Sequence, residues 1–305
     1  MLAAGATAVA LGLGRGSFAQ AVTALEGADR RWLLVGGIGF AAALLCSARA
    51  WQSGLRTCGG RSSYVDIASR YAIGSLVNSA APAHVGGALR IGLLARTLGG
   101  DDPVLRACGV GTAVAAARAF GLAALILAAA AAGDVPAWPA LALVGVVGSA
   151  LAVCRRLSPR AAVLQAFRSP RSVFAWIACS CAVRLAATVA VIAAFGIPRP
   201  MTVALVMLAA IALAGVLPLT PGNLGAGAGA AALALHGSGL DVGPALALGI
   251  AFQALETCAS VALGLAGVAV VAAPGTRMRR WSLALAGAVA VAIATTVGFA
   301  SVDLV

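Results

Sequence analysis

The sequence contains no lysine, and all 21 of its basic residues are arginine. A P-loop needs a lysine at the nucleotide phosphates, and pyridoxal phosphate enzymes need one for the Schiff base. The absence of lysine therefore excludes a P-loop ATPase and lysine-based covalent catalysis. Acidic residues are also few: nine Asp and Glu against 21 arginines give a formal charge of +12. Because these arginines alternate with apolar segments, topology and anionic lipid account for them better than nucleic acid does.

The sequence also lacks any paired cysteine motif. It has seven cysteines, none of them in a Cys-x-x-Cys pair, and most fall in apolar segments. We interpret them as small buried thiols, without a disulfide framework. We expect no metal, no cofactor and no enzymatic activity.

Apolar residues dominate what is present. The chain is 62% hydrophobic and 10% charged, with a mean hydropathy of +1.02, which is typical of a multi-pass membrane protein. No polar stretch is long enough to fold separately, so we expect one transmembrane domain over residues 1–305, in the plasma membrane. The fold class is all-α, with about eight transmembrane helices. The expected spans are 1–25, 31–50, 107–132, 138–153, 172–195, 201–217, 242–272 and 281–300, and a cleaved signal peptide is the alternative for the first of them.

The arginines predict which ends of these spans are cytoplasmic. They are concentrated in 49–106, 155–171 and 277–280 and are rare in 133–137, 196–200 and 237–243. The positive-inside rule therefore places the first three regions in the cytoplasm. Trp32 and Trp51 bracket the second span, as aromatic residues at the membrane interface do.

Two stretches rich in glycine, proline and small residues interrupt the apolar pattern, at Asn78–Arg90 and Leu217–Gly229. Prolines break helices, and unwound backbone at membrane depth is tolerated only in protein or beside a cavity. Before the first interruption, Ser62–Ala81 predicts an amphipathic helix that is interfacial or re-entrant. Its polar side has Ser62, Asp66, Ser69 and Arg70, and its apolar side has Val65, Ile67, Ala68 and Tyr71. Paired interruptions in two halves of a chain indicate inverted repeats and a transporter binding site. A surface loop of small residues is the alternative.

Three ionisable residues, Arg118, Arg184 and Glu256, fall near the middle of expected spans. An arginine at that depth costs about 2.5–3.5 kcal/mol on insertion scales and needs a partner in the protein interior. An Arg–Glu pair that only holds helices together is one interpretation. Two arginines and one glutamate, however, leave one cation for an anionic ligand, and the planar guanidinium suits phosphate.

Further candidate substrate-binding residues lie at the interruptions. They are Asn78, His84, Arg90, Gly222, Asn223 and Gly225. Helices that restart after Pro82 and Pro221 would point free N–H groups at an anion. The alternatives are a hydrogen-bonded structural histidine and glycines that permit close helix packing.

These interruptions resemble the lysylphosphatidylglycerol synthase transmembrane-region family, also called flippase-like. The resemblance rests on Pro82-x-x-x-Gly86 followed by Arg90, on Ala117–Arg118, and on Pro218-x-x-Pro221–Gly222–Asn223–Leu224–Gly225. It covers roughly 49–271 and implies a lipid flippase module without the soluble synthase domain that some members carry. The chain departs from the family where acidic residues are usual, at Gly87, at Ala228 and shortly after Arg118.

The expected function is movement of an anionic phospholipid or polyprenyl-linked lipid between leaflets. The lipid head group is then the main partner. The alternatives are a small organic anion transporter and a non-transporting membrane partner of a lipid- or glycan-modifying enzyme. A homo-oligomer is compatible with each of these.

Overall fold

The computed structural model describes residues 20–21, 23–80, 85–131, 141, 144–145, 148, 170–214, 226–237, 239–272 and 284. These residues are helical apart from short connections, which confirms the all-α membrane fold. The helices are α1 (Arg30–Thr57), α2 (Tyr64–Ala80), α3 (Val85–Ala95), α4 (Pro103–Ala131), α5 (Pro170–Ala194), α6 (Pro200–Ala214), α7 (Ala226–Gly237) and α8 (Val242–Val271).

Four of these helices are long and apolar enough to cross a membrane: α1, α4, α5 and α8. Three helices, α4, α5 and α6, begin at a proline, which fits the first helical turn because its N–H is not needed there. Most residues of the expected spans at 1–25, 138–153 and 281–300 lie outside the described residues. The count of eight spans therefore stays a prediction.

Helices α1 and α5 pack against each other in antiparallel orientation along most of their length. Glycines of α1 permit this approach, since a Cβ on Gly39 would lie 2.7 Å from the Cβ of Ala187. Nearer the other end of α1, the Ser47 hydroxyl is 2.9 Å from that of Ser180. At the opposite end of the pair, the N–H of Asp29, just before α1, donates to the carbonyl of Ala194, the last residue of α5, at 2.8 Å. The C-terminal end of α1 and the N-terminal end of α5 thus lie on the same side.

Helices α2 and α3 form a re-entrant hairpin. A Cβ on Gly74 would lie 2.7 Å from the Cβ of Arg90, so the two helices approach closely there. Arg106, at the start of α4, donates to the carbonyls of Cys58 and Gly99, which lie before α2 and after α3. Both ends of the hairpin therefore return to the C-terminal end of α1, as the interrupted stretch predicted.

Three details of the sequence interpretation are wrong. Ser69, assigned to the polar side of α2, is buried. Helices α2 and α8 approach so closely there that a Cβ on Gly267 would lie 2.6 Å from the Ser69 carbonyl oxygen. Trp51 is buried against Gly111 and is not an interface aromatic residue. Cys179 is exposed, although we expected buried thiols.

Helix α8 supports both halves of the fold on one face. At Gly249 it meets the backbone of Ala228 in α7, and at Gly267 it meets α2. These glycines are five helical turns apart, and Glu256 lies on nearly the same face between them. Both α2 and α7 run antiparallel to α8, so the end of α2 and the start of α7 point toward the level of Glu256. The two interruptions follow and precede those helix ends.

Candidate functional site

Three arginines and one glutamate lie where α1, α2, α3, α4, α5 and α8 meet, and we call Arg90, Arg118, Arg184 and Glu256 the arginine cluster. Arg118, on α4, donates from Nη2 to the Ser47 hydroxyl at 2.9 Å. Ser47 is within hydrogen-bonding distance of Ser180, which donates to the Ala43 carbonyl at 2.8 Å. Arg118 is thus held by a buried hydroxyl chain between α1 and α5.

Tyr71 connects the re-entrant hairpin to this chain. Its ring is 3% exposed, and the guanidinium carbon of Arg90 lies 4.1 Å from the ring centre. Arg90 also donates from Nη2 to the Ser75 hydroxyl at 2.9 Å. The side chain of Tyr71 also lies beside Arg118 and Ser47. Two guanidinium groups therefore flank one buried tyrosine, whose π face favours a cation.

Arg184 and Glu256 form an ion pair between α5 and α8. The Arg184 Nη2 atom lies 2.9 Å from Oε1 of Glu256 and 3.1 Å from Oε2. The guanidinium of Arg184 also lies 5.7 Å from the centre of the Phe252 ring. The pairing that the sequence offered as one interpretation is therefore present, and it assigns the glutamate to Arg184 and not to Arg118.

The arginine cluster keeps a positive excess after this pairing. Three arginines and one glutamate sum to a formal charge of +2. Among the described residues, no carboxylate lies within 4 Å of Arg90 or Arg118. The Nε atoms of Arg90 and Arg184 are buried without a hydrogen-bond partner in that same part of the chain. A buried cation without a counter-charge is unfavourable, so binding of an anion would stabilise Arg90 and Arg118 more than it would an arginine that is already paired.

The remaining predicted site residues divide into two groups. Asn78 is exposed near the end of α2, and a Cβ on Gly86 would collide with its N and Cβ atoms and with the Gly74 carbonyl oxygen. His84, Gly222, Asn223 and Gly225 lie outside the described residues. We expected the two interruptions to meet, and this stays a prediction. The described ends of α2 and α7 both point toward the level of Glu256.

Sequence reasoning missed the residues that hold the arginines. Tyr71 was assigned to the apolar side of α2, and Ser47 and Ser180 look like ordinary small residues of a span. One signal was present: a buried tyrosine normally finds a polar partner for its hydroxyl. Which partner it finds depends on helix packing that no local pattern contains.

Comparison with known proteins gives one family. The family model of the lysylphosphatidylglycerol synthase TM region matches residues 1–264 of the 305-residue chain. The match begins earlier than the region 49–271 that carries the sequence resemblance. No curated protein matches the chain. The matched region contains α1 to α7, most of α8 and every member of the arginine cluster. The protein belongs to the family of the lysylphosphatidylglycerol synthase transmembrane region.

Proposed function

We propose that the protein moves a lipid with an anionic head group between the leaflets of the plasma membrane. The head group contacts the arginine cluster while the acyl or polyprenyl tails stay in the bilayer. The observation that carries this proposal is the +2 excess of the cluster, in which Arg90 and Arg118 have no carboxylate partner among the described residues. Charge at membrane depth is costly and usually marks a substrate pathway.

The donor chemistry supports phosphate or another oxyanion as the head group. A guanidinium presents five N–H donors in a planar fork that matches phosphate oxygens in pairs. Arg118 uses one donor on Ser47 and Arg90 uses one on Ser75. Helices α3 and α7 also begin beside the two interruptions, and the first N–H groups of a helix have no partner within it. A head group there would find cations and backbone donors together.

One observation favours a second candidate, a non-transporting membrane partner of a lipid- or glycan-modifying enzyme. Such a partner needs no transport pathway, and Glu256 is already neutralised by Arg184. In that case the arginine cluster would hold a lipid in place for the enzyme and would not pass it across. A small organic anion transporter has no observation of its own in its favour.

Lipid exchange in proteoliposomes separates these candidates. The purified full chain is reconstituted with fluorescent lipids of matched tails that carry an anionic or a zwitterionic head group. Dithionite reduction of the outer-leaflet label then reports exchange. The proposal predicts exchange of the anionic lipid well above that in protein-free vesicles and above that of the zwitterionic lipid. Exchange no faster than in protein-free vesicles, across several anionic lipids, would favour the enzyme-partner candidate.

A further inference from the structure

A second arginine site lies apart from the arginine cluster, on the outer side of α1. The guanidinium carbon of Arg49 lies 5.3 Å from the ring centre of Tyr64, on α2, and 5.8 Å from that of Trp176, on α5. Three helices therefore contribute to one site. We call Arg49, Tyr64 and Trp176 the aromatic arginine site.

The guanidinium of Arg49 is oriented but not neutralised. Its Nη1 donates to Oε1 of Gln52, and Nε2 of this buried glutamine donates to the Ser62 carbonyl at 3.2 Å. Within the described ranges, no carboxylate lies within 4 Å of Arg49. Ring faces attract a cation without using its N–H groups. One of the five donors is thus used by Gln52, and the others are available to an anion.

The site lies close to the boundary of the hydrocarbon core, from which the long side chain of an arginine reaches the level of the lipid phosphates. Helix α1 has 28 residues, so it is about 42 Å long and exceeds the hydrocarbon core by about 12 Å. Arg49 lies about 12 Å from its C-terminal end by the helix rise. The Tyr64 hydroxyl donates to the Leu45 carbonyl at 3.0 Å, which places the start of α2 at this level. The arginine-rich end of the molecule lies beside it.

The rim of the site is apolar and faces outward between helices. Trp176, on α5, is 37% exposed. On α1, Leu45 is 38% exposed one turn before Arg49. A soluble anion gains nothing from such a rim, whereas the tails of a phospholipid would cover it. The combination of an unneutralised cation and an apolar rim selects an anionic lipid.

We propose that Arg49, supported by Tyr64 and Trp176, binds the phosphate of an anionic phospholipid of the cytoplasmic leaflet. The guanidinium donates to phosphate oxygens from its unused N–H groups, and the tails lie against Leu45 and Trp176. This site is separate from the arginine cluster, since Ser47 and Arg49 project from nearly opposite sides of α1. The proposal does not depend on transport.

Fluorescence of Trp176 provides a local test. The full chain is reconstituted in phosphatidylcholine vesicles that contain a minor fraction of phosphatidylglycerol, with bromine on the tails of either one lipid or the other. Bromine quenches only nearby tryptophans, and the difference between wild type and Trp176→Phe isolates Trp176 from the other four tryptophans. We expect about a threefold enrichment of brominated phosphatidylglycerol at Trp176 over its bulk fraction.

Variants and competition decide whether Arg49 causes the enrichment. Arg49→Gln should abolish it, while Arg61→Gln, which removes an exposed arginine at the same end, should leave it unchanged. If Arg49→Gln does not fold, Arg49→Lys should reduce the enrichment because the planar fork is lost. Inorganic phosphate at constant ionic strength should not displace the lipid. The proposal is overturned if quenching of Trp176 does not depend on which of the two lipids carries bromine beyond their bulk fractions, or if the enrichment persists unchanged in the Arg49 variant. It is also overturned if inorganic phosphate displaces the lipid.

Discussion

At the scale of single residues, the positive charges of the arginine cluster are held by neutral groups. Arg118 relies on Ser47, and Arg90 relies on the Tyr71 ring and Ser75. Hydroxyls and a ring face orient a guanidinium without cancelling its charge. Arg184 differs because Glu256 neutralises it. The cluster therefore contains one ion pair and two cations that have no carboxylate partner among the described residues.

Removing one member of the Arg184–Glu256 pair should cost more stability than removing both. In Arg184→Gln the glutamate is left without its cation, and we expect a loss of about 1–3 kcal/mol, below the fully buried value because both side chains are partly exposed. In Arg184→Gln with Glu256→Gln, neutral amides replace the pair and stability should largely return. Thermal unfolding in detergent measures both variants. Equal destabilisation in the single and double variants would show that the pair is not coupled.

At the scale of elements, glycines determine how closely helices approach. A Cβ on Gly86 would collide with the backbone N and Cβ of Asn78, and one on Gly264 would collide with Leu76. The re-entrant hairpin thus depends on small residues both within itself and against α8. Small residues are a usual means of helix association in a membrane, where no hydrophobic force draws helices together.

The neighbours Gly86 and Gly87 give a matched comparison for the hairpin. A Cβ on Gly87 has no atom within 4 Å. We expect Gly87→Ala to leave stability unchanged or to raise it by about 0.5–1 kcal/mol through helix propensity. Gly86→Ala should lose about 1–3 kcal/mol through overpacking. Thermal unfolding of the two variants checks this, and a similar effect of both would contradict the close approach of α2 and α3.

The packing of α1 on α5 can be tested with native cysteines. The sulfur atoms of Cys46 and Cys179 lie 3.7 Å apart, as free thiols. Oxidation by copper phenanthroline, which enters membranes, should therefore form a disulfide between them with little backbone movement. Mass spectrometry of the digested protein should find that cross-link, and Cys46→Ser should remove it. Cross-linking of Cys179 to Cys181 or Cys258 in its place would contradict the helix register.

The sequence predicted the elements well and the site only in part. Long apolar runs place the ends of α4, α5 and α8 within four residues of those observed, whereas α1 continues seven residues beyond its expected end at residue 50. Mid-span Arg118, Arg184 and Glu256 were identifiable because charge is rare there. The sequence did not show which arginine pairs with Glu256, because that depends on how α5 packs against α8. Tyr71 was missed for the same reason.

At the scale of the whole molecule, the described helices fit one orientation in the membrane. The C-terminal end of α1, both ends of the hairpin and the N-terminal end of α5 lie together with Arg56 and Arg171. The opposite end carries the turn before Pro200 and the start of α8. Arg30 and Arg31 also lie at that end, which the sequence argument did not take into account. They are outnumbered by the arginines of the first end, and the cytoplasmic location of that end stays a prediction.

Labelling in intact cells tests this orientation. A membrane-impermeant maleimide should label Arg30→Cys from outside and should leave Arg61→Cys unlabelled until the membrane is broken. Both residues are exposed. Native Cys58 lies at the inner end but should react slowly, because burial raises the pKa of its thiol and keeps it protonated. Labelling of Arg61→Cys from outside would reverse the topology.

The proposed lipid transport depends on the unpaired arginine charge of the arginine cluster, which receives the anionic head group. The most direct measurement is the ratio of anionic to zwitterionic lipid exchange in proteoliposomes of wild type, Arg118→Lys and Arg118→Gln, with Arg61→Gln as the matched charge control. The account predicts a ratio above one for wild type and Arg61→Gln, a lower ratio for Arg118→Lys, and about one for Arg118→Gln. Intact folding of each variant is checked by its thermal unfolding. A folded Arg118→Gln protein that exchanges anionic lipid at the wild-type ratio would contradict the account.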